Sequence, residues 1–144
     1  MIMTQLLLTM DFIHKRGVVH RDIKLDNILI NKIEEGDYKV KIADFGMASF
    51  VKVPDINNDA AGNLLYMKCG TPGHVAPEIL RSEGYNSKCD MFSVGSLMFN
   101  LLTGLYLFSG ADQQEILLKN KACDTSKIGL VLTEVSQEGI FVLN

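Results

Sequence analysis

One segment limits the folds open to this chain more than any other. From Lys88 to Thr103, apolar side chains stand on nearly every side: Met91, Phe92, Val94, Leu97, Met98, Phe99, Leu101 and Leu102. A helix that is hydrophobic all round has no face to give to water, so other elements must enclose it. The stretch also carries Ser93, Gly95, Ser96, Asn100, Thr103 and Gly104, and it falls short of the roughly 20 uninterrupted apolar residues a bilayer requires. A soluble domain built around one buried helix is expected. The 144 residues suit a single domain, and a chain of that size can bury about 68–70% of its unfolded surface.

The remaining elements are read by periodicity. Ile2, Leu6, Met10 and Ile13 recur at helical spacing, and Lys15-Arg16-Gly17 supplies cations and a glycine stop, which predicts a helix over about 2–16. Ile28-Leu29-Ile30 and Val40-Lys41-Ile42 read as short strands joined through Asn31 to Lys39, with Gly36 and Asp37 at the turn. That predicts a hairpin with a loop longer than the tightest class. From Ala48 to Glu78 no period is sustained, and Pro54, Gly62, Gly70, Pro72 and Gly73 punctuate the stretch; structureless segments this long are usually functional or disordered. Pro77 to Arg81 suits a short helix with proline near its start. Ala111 to Lys121 reads as a further helix, acidic early (Asp112, Glu115) and basic late (Lys119, Lys121), in keeping with the macrodipole. Ser136 caps a last predicted helix, and the methionines read as core filler.

Charge and cysteine content exclude several function classes. Lys and Arg total 14 against 17 Asp and Glu, a formal net charge of −3, so no nucleic-acid or anionic-membrane surface is expected. The cysteines, Cys69, Cys89 and Cys123, are odd in number and widely spaced. They form neither a disulfide framework nor a zinc spacing, which points to a reducing, cytoplasmic location. The apolar start, MIMTQLLLTM, has no basic lead and no small-residue cleavage site, so no signal peptide is expected.

The chemistry concentrates in His20-Arg21-Asp22-Ile23-Lys24-Leu25-Asp26-Asn27, a polar stretch ahead of the first hairpin strand. Phosphoryl transfer needs a carboxylate to orient a hydroxyl, a cation on the migrating phosphate and oxygen ligands for Mg²⁺. A further carboxylate follows the second strand in Asp44-Phe45-Gly46, and Ala76-Pro77-Glu78 comes later. Taken singly, Asp22 reads equally well as a solvated loop carboxylate and Asp44 as a strand-end cap.

H-R-D-x-K-x-x-N, D-F-G and A-P-E in this order, followed by Asp90-Met91-Phe92-Ser93-Val94-Gly95, resemble the eukaryotic protein kinase family. The resemblance covers about residues 1 to 120 and continues more faintly through Val135-Ser136-Gln137-Glu138. The fold it implies is mainly α with a small β-hairpin, the large C-terminal lobe of a kinase domain over residues 1–144. The catalytic loop is 20–27, the activation segment 44–78 and the buried helix about 88–103. Asp22 is then the implied catalytic base and Lys24 the implied γ-phosphate contact. Asn27 and Asp44 would hold Mg²⁺, and Leu29 would floor the adenine site of ATP. His20 and Phe45 would join the hydrophobic spine, with Gly46 completing D-F-G. Arg21 would gather negative charge from the activation segment, and Asp90 would brace the catalytic loop. Lys24 and Gly70-Thr71-Pro72 resemble serine/threonine rather than tyrosine kinases, with Thr71 near Asp22 and Lys24.

The departures are equally specific. Only 19 residues precede His20 and no G-x-G-x-x-G occurs, so the small nucleotide-covering lobe is expected to be missing. No arginine follows Arg81, which leaves Glu78 without the partner the family gives it. Neither serine nor threonine occurs from Phe50 to Gly70, and Asp55 and Asp59 are the expected charges for Arg21. The implied function is an ATP- and Mg²⁺-dependent serine/threonine protein kinase acting on protein substrates, held here as a truncated catalytic domain. The alternative is a non-catalytic kinase-like module that binds or regulates. In either case the face toward the small lobe is expected to be apolar and to need that lobe or a partner as cover.

Overall fold

A computed structural model describes residues 2–52, 63–126 and 128–131. Asp55 and Asp59, the faint resemblance at 135–138 and the Ser136 cap lie outside the described residues. The order is α1 (Ile2–His14), β1 (Val18–Val19), β2 (Ile28–Glu34), β3 (Asp37–Ile42), β4 (Ser49–Phe50), α2 (Pro77–Leu80), α3 (Lys88–Thr103), α4 (Gln113–Ala122) and α5 (Ile128–Val131). A single 3₁₀ turn, Leu25–Asn27, precedes β2. Helices and small antiparallel sheets are the architecture expected from the sequence.

The helix α3 organises the interior. Val94 and Leu97 pack with Leu6, Met10 and Ile13 of α1 and with Ile23. Cys89 packs with Val19, Val75, Ala76, Ile79 and Tyr85, and Phe99 with Leu107, Phe108 and Ile128. Each fully buried large side chain of this kind contributes about 1.5–3 kcal/mol relative to exposure, so one helix ties three apolar clusters together. The expected span is matched to the residue, and Gly104 at φ 70° closes it, a left-handed stop that costs glycine little.

The all-round burial predicted for α3 is not found. Met91, Leu101 and Leu102 are 42%, 46% and 43% exposed, while Asp90, Ser93 and Ser96 point inward. The inward polar groups bind loop backbone, and that bonding rather than apolarity selects the buried face.

The hairpin is also tighter than predicted. Strands β2 and β3 pair from Ile28↔Ile42 to Glu34↔Asp37, with an irregularity between Lys32 and Glu34, so only Glu35 and Gly36 connect them. The polar residues Asn31, Lys32 and Lys39 extend both strands because the hairpin is largely solvent-facing, and exposed strands carry no apolar signature. Gln5 of α1 fastens the hairpin: its Nε2 donates to the Tyr38 carbonyl at 2.7 Å and its Oε1 accepts from the Val40 amide at 3.0 Å. The first helix ends at His14, before Gly17 at φ 74°. In α4, Asp112 is the N-cap and accepts from the Glu115 amide at 2.9 Å, while Glu115 accepts from the Ala111 amide at 2.8 Å. This resembles a capping box, with the returning bond made by the residue before the N-cap. The methionines divide, with Met10 fully buried and Met47, Met67 and Met91 exposed. Among the described residues no helix is long and apolar enough to cross a membrane.

Candidate functional site

Beyond β1, which pairs antiparallel with β4, the chain turns sharply. Arg21 adopts φ 69°, a left-handed conformation that is uncommon for a non-glycine residue and needs outside support. Asp90, in the first turn of α3 and fully buried, provides it. Its carboxylate accepts from the His20 amide at 2.8 Å and the Arg21 amide at 2.7 Å. The third donor is His14 Nε2, 2.8 Å away at the end of α1. A buried carboxylate is costly unless its oxygens are bonded, and here two backbone amides and the His14 imidazole converge on it, with Cys89 Sγ 4.0 Å from Oδ1.

His20 is likewise fixed. The Asp22 amide donates to its Nδ1 at 3.3 Å, so Nδ1 is an acceptor and the proton sits on Nε2. Nε2 then donates to the Ala43 carbonyl at 3.0 Å. The Phe45 ring meets this imidazole edge-on, with centroids 4.7 Å apart. His20 thereby joins the His20–Asn27 stretch to Asp44-Phe45-Gly46.

Asp22 is the centre of the polar cluster. Its Oδ1 accepts from the Thr71 hydroxyl at 2.6 Å and its Oδ2 lies 2.9 Å from Lys24 Nζ. Lys24 also donates to Thr71 Oγ1 at 3.0 Å, closing a triangle. Asn27 Nδ2 donates to the Asp22 carbonyl at 2.8 Å and to Oδ2 at 3.3 Å. Partial burial works to raise the Asp22 carboxyl, but the bonds from Thr71 and Lys24, the Lys24 charge and the Asn27 amide together hold it below the usual carboxylate range. Asp22 is thus an ionised acceptor at neutral pH.

Asn27 ends the 3₁₀ turn and Asp44 lies two residues beyond β3, where the Ala43 amide donates to the Asn27 carbonyl at 2.8 Å. Asn27 spends its Nδ2 on Asp22, so Oδ1 is the atom it could offer a cation. Asp44, at φ 57°, is exposed and accepts from the Gly46 amide at 3.1 Å through one oxygen. One carboxylate and one amide oxygen fit Mg²⁺, which binds through one or two carboxylates and completes its shell with water and phosphate. Among the described residues no cluster of three or more His, Cys, Asp or Glu could hold a metal. Leu29 lies half-exposed on β2 and Glu78 in the first turn of α2. Among the described residues, the Glu78 carboxylate has no ion pair.

Several site-supporting residues escaped the sequence reading. Asn120 of α4, fully buried, accepts from the Gly73 amide at 3.0 Å and donates to the Val75 carbonyl at 2.8 Å. Ser96 donates to the Gly73 carbonyl at 2.9 Å and Ser93 to the His74 carbonyl at 2.8 Å. These bonds clamp the loop that carries Thr71. Serines inside an apolar helix were the available signal; Asn120, in a polar helix, offered none. His14 and Tyr85 also carried no sequence signal for the contacts they make. Burial lowers the His74 imidazole, and its Nδ1 has no hydrogen-bond partner among the described residues.

The protein kinase domain model matches residues 1–139. Over 124 residues the chain is 40% identical to the Plasmodium falciparum protein named probable serine/threonine-protein kinase 2, covering 86% of this chain and 22% of that protein. It is 40% identical to serine/threonine-protein kinase zyg-8 of Caenorhabditis elegans, over 79% of this chain and 13% of that one. With serine/threonine-protein kinase cds1 of Schizosaccharomyces pombe it shares 36% identity, over 99% of this chain and 30% of the other. The chain therefore spans less than a third of the length of these relatives. The family match over nearly the whole chain, with relatives named as serine/threonine kinases, makes this chain a member of the protein kinase domain family.

Proposed function

We propose that the chain carries the large-lobe half of a serine/threonine protein kinase active site, which transfers the γ-phosphoryl group of ATP to a protein serine or threonine hydroxyl. The observation that carries the reading is the Asp22–Lys24–Thr71 triangle, with Asn27 on the same carboxylate. Asp22 orients the acceptor hydroxyl and takes its proton. Its depressed pKa suits a reaction in which the proton leaves late and positioning dominates. Lys24, held beside Asp22, faces the transferring phosphate with its charge, and Thr71 keeps Lys24 and Asp22 in register. Asn27 and Asp44 hold Mg²⁺, which supplies charge neutralisation on the phosphates. Leu29 floors the adenine site, while His20 and Phe45 stack into the spine below it.

The half-exposed Leu29, Phe45 and Met47 support a face covered by a small lobe or a partner protein, since soluble monomers rarely expose large apolar patches. The same exposure favours the second reading, a non-catalytic module that binds through this face. The purified 144-residue chain is expected to bind Mg-ATP very weakly, because the upper wall of the nucleotide site comes from elsewhere.

The test is a chimera in which the chain replaces the matching part of the Plasmodium relative. Phosphorylation of a serine/threonine peptide mixture is expected, with Asp22→Asn reducing it by about 10²–10⁴-fold. A folded chimera that fails to transfer phosphate refutes the catalytic reading and leaves the binding module.

A further inference from the structure

The activation segment is gripped at a residue that the family resemblance does not assign. Tyr85, in the loop before α3 and 2% exposed, forms an isolated antiparallel bridge with Leu65. The Leu65 amide donates to the Tyr85 carbonyl at 2.8 Å and the Tyr85 amide to the Leu65 carbonyl at 3.0 Å. The phenol reaches further along the same segment, where its hydroxyl donates to the Met67 carbonyl at 2.6 Å and lies 3.8 Å from Cys69 Sγ. With its one proton given to Met67, the oxygen accepts from Arg21 Nη1 at 3.2 Å.

Arg21 is 8% exposed, and a buried guanidinium is costly unless its donors are met. Its other side-chain partner is the Met47 carbonyl, so among the described residues both acceptors are uncharged and Arg21 has no ion pair. The sequence from Phe50 to Gly70 contains no serine or threonine to phosphorylate. Close packing completes the junction: Gly70, at φ +112°, brings its backbone so near that a Cβ there would stand 3.0 Å from the Arg21 carbonyl oxygen.

We infer that Tyr85 is a positioning residue whose hydroxyl couples the activation segment to the catalytic loop through Arg21, without a phosphate. Burial, the largest influence, pushes the phenol up to about 12, so the hydroxyl keeps its proton, and with it the bond to Met67, throughout the neutral range. The coupling stands on geometry alone, and only its consequence for catalysis rests on the kinase reading.

Amide hydrogen exchange on the phosphatase-treated 144-residue chain tests it, using wild type, Tyr85→Phe, Arg21→Lys and the double variant. Phenylalanine keeps the ring and the Leu65 bridge and deletes only the oxygen. Exchange at 65–70 and at 20–22 is expected to quicken about tenfold in Tyr85→Phe, the scale of a hydrogen bond to a charged group. Arg21→Lys should do the same, and the double variant should add nothing. Unchanged exchange in Tyr85→Phe, additive effects, or protection in wild type that disappears on phosphatase treatment overturns the inference. Should Tyr85→Phe not fold, Arg21→Lys decides alone, and unchanged exchange at 65–70 overturns it. In the active chimera, Tyr85→Phe is expected to lower kcat and leave KM for ATP unchanged; an equal rise in KM overturns the positioning role. A chimera inactive with Tyr85 in place counts against the kinase reading, and the exchange result still decides the coupling.

Discussion

Replacing Asp90 with asparagine tests whether a buried carboxylate holds the His20–Arg21 stretch in its left-handed turn. Asp90 is 0% exposed, so solvent screening does not weaken its bonds. Its Oδ2 receives the His20 amide and His14 Nε2, each at 2.8 Å, and its Oδ1 receives the Arg21 amide at 2.7 Å. An asparagine that turns its oxygen to the first pair presents an NH₂ group to the Arg21 N–H, donor against donor. The bond from the Arg21 N–H is then lost and that buried donor is left unmet, at about 1–3 kcal/mol for the two together. The two surviving bonds lose their charge assistance. Asp90→Asn is therefore expected to destabilise the chain by about 4 kcal/mol, a large share of the roughly 5–15 kcal/mol typical of a domain. Urea unfolding followed by far-ultraviolet circular dichroism gives the change, since the chain has no tryptophan. Amide exchange at His20 and Arg21 locates it. His14→Ala removes one donor from a carboxylate that keeps two, and about 1 kcal/mol is expected. An Asp90→Asn variant within 1 kcal/mol of wild type, its Arg21 amide still protected, refutes the reasoning.

Other outcomes follow from the same contacts. Because the folded-state pKa of Asp22 lies below its ordinary value of 3.8, the carboxylate adds stability above that pH. The contribution is lost as the pH falls through the folded-state value. The stability advantage of wild type over Asp22→Asn should accordingly narrow in acid below about pH 4, as read by unfolding across a pH series; a gap that widens in acid reverses the sign and sinks the assignment. Asn120→Ala leaves the Gly73 amide and the Val75 carbonyl unmet in a buried site, so a loss of about 2–4 kcal/mol is expected in urea unfolding. A change below about 0.5 kcal/mol, the usual range of a surface substitution, would show that the clamp is idle.

The site was legible where chemistry dictates residue type at short range. His20 to Asn27 could be read as phosphoryl-transfer chemistry because its acids, cations and amide stand together in one loop. The structure gathers Asp22, Lys24 and Asn27 there, with Thr71 and Asp90 reaching in from distant parts of the chain. Elements with strong periodicity or strong punctuation were legible too. The span Lys88–Thr103 was matched at both ends, and Pro77 opens α2 where proline at a helix start predicts. The hairpin was misjudged because its solvent-facing strands lack alternation. The orientation of α3 was misjudged because apolarity cannot say which face a helix buries when polar groups on it have partners. Asn120, Tyr85 and His14 were missed for one reason: each acts on residues far along the chain, and nothing beside it in sequence marks it.

The amino-acid sequence by itself determined the inventory: which residues can bear phosphoryl-transfer chemistry, and where the strongly periodic or punctuated elements begin and end. Those follow from side-chain chemistry and local backbone preference, which act over a few residues. Side-chain chemistry alone could not supply the bonds themselves: Asp90 on the His20 and Arg21 amides and Thr71 on Asp22 across 49 positions of chain, which only the family resemblance had implied, and Tyr85 between Arg21 and Met67, which nothing had. Each is a hydrogen bond between groups brought together by the packing around α3. A bond of that kind becomes strong when burial removes the competing water.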